Sequence, residues 1–263
     1  MPPTLLSAGM DRLEHVPPEA ISRTLPLLKE APAVPDTTRG YLDLLGPVDR
    51  EPPGPIQAAW ESTAGAAVYD TAQRLTRKVF LSLRPPMSVL RVPDGGLTLD
   101  VGSGPGDITA ELGRAVGPRG LALGVDISES MLERAVRDHG APNVGFLRAD
   151  ATRLPFHDGT FAAVTCLAVL QLIPRPLDVV AELVRVLTPG GRLAIMVPSP
   201  RGRLTTRIGK LITDSPAGLV LLGAEELAES LHAAGAGTVH TRQAALVLHA
   251  LAVKRGSRQL SVS

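Results

Sequence analysis

The apolar positions of the chain follow two alternating patterns from residue 97 onward. Short apolar runs, typical of buried strands, are separated by segments whose apolar residues recur every three or four positions, as on one face of a helix. The predicted strands are residues 97–101, 121–125, 143–149, 161–170 and 192–197, and the predicted helices are residues 108–116, 129–138, 177–187 and 225–234. Two further runs, residues 238–243 and 245–253, could pair as a hairpin. Apolar strands separated by helices predict an α/β fold with a doubly wound, mostly parallel sheet of seven strands and an antiparallel terminal hairpin strand.

The first 59 residues follow neither pattern, because prolines interrupt the short apolar segments there. Proline breaks helix interiors and strand ladders, so short helical turns joined by extended pieces are expected. Leucines between the prolines argue against a disordered segment. We expect residues 1–59 to form a Pro-rich extension that packs on the main domain or closes over it as a lid. A helical pattern over residues 60–83 begins the main domain, which we predict to span residues 60–263.

Composition and charge narrow the function classes. The chain has 263 residues, of which 44% are hydrophobic and 20% are charged, as in a globular protein with a sizeable core. The net charge of +1 gives no general attraction to nucleic acid or to an anionic membrane. No apolar run approaches the ~20 residues that span a bilayer, and no secretion signal is apparent, so a cytoplasmic location is expected. The single cysteine, Cys166, lies in an apolar run and is expected to be a buried, inert thiol.

A glycine-rich loop follows the first predicted strand, in the stretch LTLDVGSGPGD of residues 97–107. Such a loop is a usual place for a ligand in a doubly wound sheet, although Gly102, Gly104 and Gly106 alone would suit a structural turn equally well. The spacing is G-x-G-x-G, whereas the dinucleotide fingerprint is G-x-G-x-x-G. Asp100 would also repel a phosphate, since like charges ~4 Å apart cost about 4 kcal/mol at an effective dielectric constant near 20. The loop therefore favours a cationic ligand without phosphate, such as S-adenosylmethionine.

Two more carboxylates stand where the next two predicted strands end. Asp126 closes the second strand and could accept hydrogen bonds from ribose hydroxyls, and Asp150 closes the third and could accept one from an adenine amino group. The thioether of Met131 could lie on the adenine face. Each acid alone would more often be a solvated loop residue or a helix cap. Acids at the ends of three successive strands instead indicate one binding edge for a cation that contains a nucleoside.

Five stretches of the chain resemble the motifs of class I S-adenosylmethionine-dependent methyltransferases, in the branch that contains the ubiquinone/menaquinone C-methyltransferases. LDVGSGPGDIT resembles the first motif of that family, GVDISESML its ribose motif and RADATRLPFHDGTF its adenine motif. LVRVLTPGGRLAI is similar to the segment around the fifth strand, and LGAEELAESLHAAGAG to a late helix. The resemblance covers roughly residues 60–253. It implies a Rossmann-like sheet, S-adenosylmethionine as the cofactor and methyl transfer as the activity.

The resemblance also implies roles for individual residues. Asp100 would reach the amino group of the cofactor, directly or through water, and Asp126 would hold the ribose. Residues 102–106 would border the methionine part, Ile127 would lie beside the adenine, and residues 150–151 would contact the adenine edge. The whole predicted cofactor-binding set is Tyr69, Asp100, Gly102, Ser103, Gly104, Gly106, Asp126, Ile127, Met131, Asp150, Ala151, Leu167 and Gln171.

The sequence does not identify a catalytic base. The cofactor of a methyltransferase carries the reactivity, so the protein mainly has to position the reactants. Family members often have a histidine where this chain has Gln171, and an aspartate where it has Ala162. Gln171 could contact cofactor or substrate, or cap the sheet, and Tyr69 could fold over the cofactor or pack in the core. No set of histidine, cysteine and acidic residues has metal-ligand spacing.

Residues 198–222, between the fifth predicted strand and the late helix, are expected to shape the acceptor site. The segment begins with basic residues and ends with apolar ones, which could suit an amphiphilic or anionic acceptor. A solvated loop followed by a packing helix is an equal alternative.

The leading hypothesis is transfer of a methyl group from S-adenosylmethionine to a small-molecule acceptor that could be lipid-like or quinone-like. A non-catalytic module that binds the cofactor as a scaffold or regulator is one alternative. An NAD(P)-dependent oxidoreductase is a weaker one, because Asp100 and the glycine spacing oppose it. The aromatic content of 3% argues against base stacking, so no nucleic-acid partner is expected. No integral membrane segment is expected either, and peripheral membrane contact and the oligomeric state stay open.

Overall fold

The computed structural model describes residues 18–46, 84–199, 220–244 and 247–256. The described strands are β1 (Leu42–Asp43), β2 (Leu97–Val101), β3 (Leu121–Asp126), β4 (Val144–Arg148), β5 (Phe161–Leu167), β6 (Leu187–Pro198), β7 (Ala236–Ala244) and β8 (Val247–Lys254). The described helices are α1 (Glu19–Thr24), α2 (Asp107–Val116), α3 (Glu129–His139), α4 (Pro176–Arg185) and α5 (Ala224–Ala233). All eight strands belong to one sheet. The predicted α/β fold is confirmed.

The strands lie in the order β1-β4-β3-β2-β5-β6-β8-β7. Strands β1 to β6 pair in parallel, and β8 runs antiparallel to both β6 and β7, which confirms the predicted hairpin. The chain proceeds from β2 to β3 and β4 on one side, and then crosses to β5 on the other side of β2. The winding therefore reverses between β2 and β5. In doubly wound sheets, ligands bind at the carboxyl ends of the strands beside such a reversal.

Burial on both faces explains why most strands of this sheet are largely apolar, and why even the polar Thr98 and Asp100 of β2 are buried. A sheet with one wet face would alternate apolar and polar residues, whereas a sheet covered on both faces does not. In β2 the last four residues are all buried, and Leu123 of β3 and Val164 of β5 have no exposed surface. On one face, Ile108 and Leu112 of α2 belong to the cluster of buried residues that covers the sheet. Packing of the helices thus holds the strands in place, and the positions of the strand ends determine where the following loops lie.

Residues 18–46 form part of the sheet and its core. Strand β1 pairs in parallel with β4, with Leu42 beside Leu147, so the sheet has eight strands and the prediction of seven is wrong. Ile21 of α1 and Tyr41 are each only 1% exposed. Residues 18–46 thus pack on the sheet, and the assignment of residues 1–59 as an extension that could act as a lid stays a prediction. The extra strand has only two residues in a stretch without periodic pattern, and it forms because β4 offers an open edge.

Two element boundaries near the sheet centre differ from the predictions. Strand β5 ends at Leu167, and a 3-10 turn over Leu170–Leu172 follows it. Strand β6 begins at Leu187, where that residue pairs with Phe161 before a shift in register.

None of the helices that the structure describes is long and apolar enough to cross a membrane. Tyr69 and residues 200–219 of the predicted acceptor segment lie outside the described residues.

Candidate active site

The candidate site is built around the loop that joins β2 to α2, beside the reversal of the winding. Gly102, Gly104 and Gly106 have φ angles of 73°, 51° and 88°, which residues with a Cβ atom rarely adopt. The amides of Gly102 and Ser103 both donate to the carbonyl of Val125 near the end of β3, at 2.8 and 3.0 Å. The loop therefore turns tightly across the ends of two strands before α2 begins. These contacts explain why the sequence needs glycine at this point.

Asp100 lies buried beneath the loop, with 2% of its surface exposed. One carboxylate oxygen accepts a hydrogen bond from the hydroxyl of Thr109 in α2, and the other accepts one from Thr165 in β5, both at 2.8 Å. Burial, and secondly the charge of Asp100, raise the pKa of the nearby Cys166 thiol above its ordinary value. Cys166 is fully buried, as predicted. A negative charge beneath the loop disfavours a phosphate, and contact between Asp100 and a cofactor amino group stays a prediction.

Asp126, at the end of β3, joins the glycine loop to the next strand-to-helix turn. One carboxylate oxygen accepts from the amide of Gly104 at 2.8 Å, and the other accepts from the amide of Ser128 at 2.9 Å. These two hydrogen bonds fix the orientation of the carboxylate at the end of the strand. Ile127 follows directly and is 58% exposed, which is unusual for so large an apolar side chain. The pair offers a polar acceptor beside an apolar surface.

Asp150 and Met131 lie near this turn. The amide of Ala149 donates to the carbonyl of Asp126 at 3.2 Å, so Asp150 follows directly from the neighbouring strand end. The side chain of Asp150 is exposed and accepts from the amide of Thr152 at 2.8 Å, which caps the 3-10 helix that starts at Ala151. This is the cap that the sequence left open as an alternative. Contact of Asp150, Ala151 and the half-buried Met131 with an adenine ring stays a prediction.

The end of β5 closes the other side of the glycine loop. Leu167 is 7% exposed, and the next residue, Ala168, has a φ of 61°, a left-handed conformation that costs energy in a residue with a Cβ atom. This turn directs Val169 onto the loop. A Cβ atom added to Gly102 would lie only 2.1 Å from Cγ2 of Val169. The two strand ends on either side of the reversal are therefore in direct contact.

Gln171 places an amide group in the interior at this edge. The residue is 7% exposed, and its Oε1 atom has no hydrogen-bond partner among the described residues. The hydroxyl of Ser103 in the glycine loop is buried and unpartnered in the same way. Buried polar atoms are nearly always hydrogen-bonded, so two exceptions at one strand edge indicate a place where a ligand completes the bonding. Leu172, the residue after Gln171, is 50% exposed and adds a second apolar surface.

Most of the predicted binding residues that the structure describes therefore meet at one edge of the sheet, and their chemistry suits a specific class of ligand. The carboxylates suit a cation and hydroxyl donors, and the exposed apolar side chains suit a flat ring. Sequence reasoning missed Thr109, Thr165 and Val169. For Thr165 a partial signal existed, because a hydroxyl residue interrupts an apolar strand, but only the structure shows that it pairs in register with Asp100. Val169 gave no signal, since its contact depends on the left-handed turn before it.

Known proteins resemble the central part of the chain. Residues 99–195 match a family model described as "Methyltransferase domain". The ubiquinone/menaquinone biosynthesis C-methyltransferase UbiE of Stutzerimonas stutzeri is 38% identical over 137 residues, which are 46% of this chain and 54% of that protein. The chain thus spans about half the length of the curated relative that it matches.

Solved structures share the fold. A structure described as an S-adenosylmethionine-dependent methyltransferase from Aquifex aeolicus superposes with a TM-score of 0.54 at 24% identity, covering 70% of this chain and 97% of that one. The [4+2]-cyclase SpnF superposes with a TM-score of 0.52 at 22% identity, covering 75% of this chain and 86% of its own. At these identities the likeness concerns the fold alone. The family match and the relative carry the assignment: residues 99–195 belong to a class I S-adenosylmethionine-dependent methyltransferase domain.

Proposed function

We propose that the chain transfers a methyl group from S-adenosylmethionine to an apolar, quinone-like small molecule. One observation carries the proposal most directly. The Asp126 carboxylate is oriented by the amides of Gly104 and Ser128, beside the exposed Ile127 and above a second, buried carboxylate, Asp100. This arrangement suits a ribose next to a flat ring and a cationic tail, and it opposes a dinucleotide phosphate.

The residues at the edge fit the parts of S-adenosylmethionine. Asp126 would hold the ribose hydroxyls, Ile127 would cover one side of the adenine, and the glycine loop would border the methionine part. The buried oxygen of Gln171 would accept a hydrogen bond from a donor on the cofactor or on the acceptor. Bound S-adenosylmethionine supplies an electrophilic methyl group on a sulfonium. The protein then has to orient the acceptor and exclude water, and neither task needs a histidine at position 171.

An apolar acceptor is supported by two features. Ile127 and Leu172 are exposed at the same edge, although large apolar side chains elsewhere in the described chain are mostly buried. The relative UbiE is named for ubiquinone and menaquinone biosynthesis. A hydroquinone ring is flat and apolar with polar substituents, so it could meet both the Leu172 side chain and the Gln171 amide. Participation of residues 198–222 in the acceptor site remains part of the proposal.

The cofactor part is tested by calorimetric titration with S-adenosylmethionine, S-adenosylhomocysteine and NAD⁺ in parallel. We expect binding of the first two and none of NAD⁺. Asp126→Ala removes hydrogen bonds to a charged acceptor, worth about 1.5–3 kcal/mol, and should weaken S-adenosylhomocysteine binding by roughly 10- to 150-fold. The matched control is Asp178→Ala, which removes an exposed acid at the start of α4. Binding of NAD⁺, or equal affinity in the two variants, would refute the site assignment.

Transfer needs its own assay, because a cyclase shares this fold. Purified protein is incubated with S-adenosylmethionine that carries a labelled methyl group and with reduced demethylmenaquinone. We expect labelled product to accumulate with wild-type protein and to be reduced in Gln171→Ala. Binding of S-adenosylhomocysteine without any labelled quinone would refute the quinone-type acceptor. Binding with no transfer to quinones or to a panel of small amphiphiles would favour the non-catalytic alternative.

A further inference from the structure

Arg148, the last residue of β4, lies at the centre of a buried ionic cluster. Its side chain is 6% exposed, and its guanidinium contacts Asp43 of β1 at 3.0 Å and Glu129 of α3 at 3.2 Å. It also donates to the backbone carbonyls of Gly46 at 2.9 Å and Ile127 at 3.3 Å. We call Arg148, Asp43 and Glu129 the Arg148 cluster. Arginine can make these contacts together because its planar group presents five donors in a fixed arrangement.

The Arg148 cluster holds both sides of the turn that carries the proposed ribose-binding carboxylate. Arg148 bonds to the Ile127 carbonyl and to the Glu129 side chain, which lie on either side of Ser128. The amide of Ser128 in turn donates to Asp126. A displacement of this turn would move the amide that orients the carboxylate, and also the exposed Ile127 side chain. Arg148 holds the turn through the Ile127 carbonyl and the Glu129 side chain, so it would act as a positioning residue.

Asp43 is the member of the cluster that comes from the N-terminal region, and hydrogen bonds hold both of its carboxylate oxygens. Its Oδ1 atom accepts from the amides of Leu45 and Gly46 at 2.9 and 3.1 Å, while Oδ2 faces Arg148. A buried guanidinium that loses one of its carboxylates becomes costly, and the side chain then moves or admits water. The position of Arg148 therefore depends on β1 being docked on the sheet.

A second set of contacts also links the N-terminal region to α3. Arg39, from the same N-terminal region, donates to Glu129 and to the hydroxyl of Tyr41. Tyr41 is 1% exposed and packs in a cluster with Leu132 of α3. The N-terminal region thus contacts Glu129 directly through Arg39 and indirectly through Arg148, and it packs on α3 through Tyr41. These side-chain contacts are separate from the backbone pairing of β1 with β4.

We infer that residues 39–46 belong to the cofactor site functionally: through the Arg148 cluster they position the turn that holds Asp126, so that docking of β1 and cofactor binding are coupled. This inference rests on the proposed function for the identity of the ligand. Coupling between two events is reciprocal, so a bound cofactor should also stabilise the docked N-terminal region. Residues 39–46 then contribute to cofactor affinity through the turn that they position.

The test compares Asp43→Asn with Asp36→Asn. Both residues accept backbone amide hydrogen bonds within the same region, but the side chain of the exposed Asp36 bonds to Thr38. The backbone carbonyl of Asp36 accepts from the amide of Asp43 at 2.9 Å, and the change to asparagine leaves that bond in place. Calorimetric titration with S-adenosylhomocysteine should show roughly 5- to 150-fold weaker binding for Asp43→Asn, the usual range of coupling between sites, and unchanged binding for Asp36→Asn. Wild-type affinity in a folded Asp43→Asn variant, or an equal loss in both variants, would overturn the inference.

Hydrogen exchange measured by mass spectrometry separates this inference from the proposed function. Without any ligand, the amides of residues 126–130 should exchange faster in Asp43→Asn than in wild type or Asp36→Asn. With S-adenosylhomocysteine, the amides of residues 43–46 should exchange more slowly in wild type. If wild-type protein binds no S-adenosylhomocysteine, the proposed function fails, and the ligand-free comparison still decides whether the cluster positions the turn. If Asp43→Asn does not fold, Glu129→Gln replaces it, because that change leaves the pairing of β1 intact and should give the same results.

Discussion

Replacement of Gly102 by alanine is expected to destabilise the fold at the contact between the glycine loop and the end of β5. The φ angle of Gly102 is 73°, in the left-handed region. The new Cβ atom would lie 2.1 Å from Cγ2, 2.7 Å from Cγ1 and 3.0 Å from Cβ of Val169. Rotation of the valine side chain cannot relieve all three contacts, because the last one involves its own Cβ atom. Valine is also restricted in χ1.

The expected magnitude has two parts. A residue with a Cβ atom in the left-handed conformation costs about 1–2 kcal/mol relative to its ordinary conformation. Overpacking by one methyl group in a tightly packed region costs about 1–3 kcal/mol. The sum is a loss of roughly 2–5 kcal/mol in the free energy of unfolding. For a chain of this size, each kcal/mol lowers the melting temperature by about 2–4 °C, so a decrease of about 4–20 °C is expected.

The assay is thermal and denaturant unfolding followed by circular dichroism, in a double-mutant cycle with Val169→Ala. Truncation of Val169 removes two of the three close contacts, so the loss caused by Gly102→Ala should be smaller by about 1–3 kcal/mol in that background. The loss of stability that remains in this background is the cost of the left-handed backbone conformation at position 102. Ala168→Gly serves as a control of opposite sign, since Ala168 has a φ of 61° and glycine relieves that strain. Ala168→Gly should raise the melting temperature or leave it unchanged.

Two results would refute this reasoning. If Gly102→Ala melts within about 1 °C of wild type, the loop adapts freely and the tight contact does not determine its conformation. If the loss is the same with and without the Val169 side chain, the cost lies in the backbone alone and the two strand ends are not coupled. A second readout is S-adenosylhomocysteine affinity, which should fall in Gly102→Ala and recover partly in the double variant.

Two further outcomes follow from hydrogen bonds of buried and exposed carboxylates. Thr165→Val removes a hydroxyl that donates to the charged Asp100 at 2.8 Å, and it should lower the free energy of unfolding, measured with denaturant, by about 1.5–3 kcal/mol. The control Thr98→Val removes a 3.5 Å hydrogen bond to a backbone carbonyl and should cost below about 1 kcal/mol. Equal losses in the two variants would contradict the special role of the buried acid. The hydrogen bond from Arg185 lowers the pKa of Asp158 below its ordinary value of 3.8, so the ionised form stabilises the fold above that pH, and this contribution disappears as the pH falls through the lower folded value. Asp158→Asn should therefore flatten the acid side of the stability profile, measured as melting temperature against pH, and an unchanged slope would show that the exposed pair contributes nothing.

The central fold could be predicted because its strands are buried on both faces. Residues 121–125 (LALGV) contain no polar side chain, and residues 97–101 (LTLDV) are apolar at every second position; both patterns can be recognised without tertiary information, and the structure places strands there. Asp126 was predictable for a related reason: a carboxylate directly after such a run marks the end of the strand, and parallel strands end at one edge. Strand β1 could not be predicted, because Leu42 and Asp43 form a strand only when the edge of β4 is beside them. Its stability is a long-range property that a local pattern does not contain.

The register between the strands that carry the site could not be predicted either, because it also depends on contacts between distant residues. The pairing of Asp100 with Thr165 joins residues 65 positions apart, and the sequence alone does not fix which residues of β2 and β5 face each other. The role of Arg148 is a stronger case. An arginine at the end of an apolar strand would be expected to reach solvent, yet the structure buries it between Asp43 and Glu129, two acids that are far apart in the sequence. Partners that are distant in sequence decide whether a charge is buried, and only the fold identifies them.

Three energetically costly features of the described residues lie around one pair of loops, and their proximity is an argument for function. Ala168 holds a left-handed conformation, and Ser103 and Gln171 bury polar atoms that have no partner among the described residues. An unsatisfied buried polar group costs about 1–3 kcal/mol, and a domain is stable by only about 5–15 kcal/mol. A purely structural turn would gain stability by losing such groups, since serine and glutamine could be replaced by alanine and leucine. Their presence at the reversal of the sheet is explained if a ligand supplies the missing hydrogen bonds, so that the energy lost in the free protein is recovered as affinity.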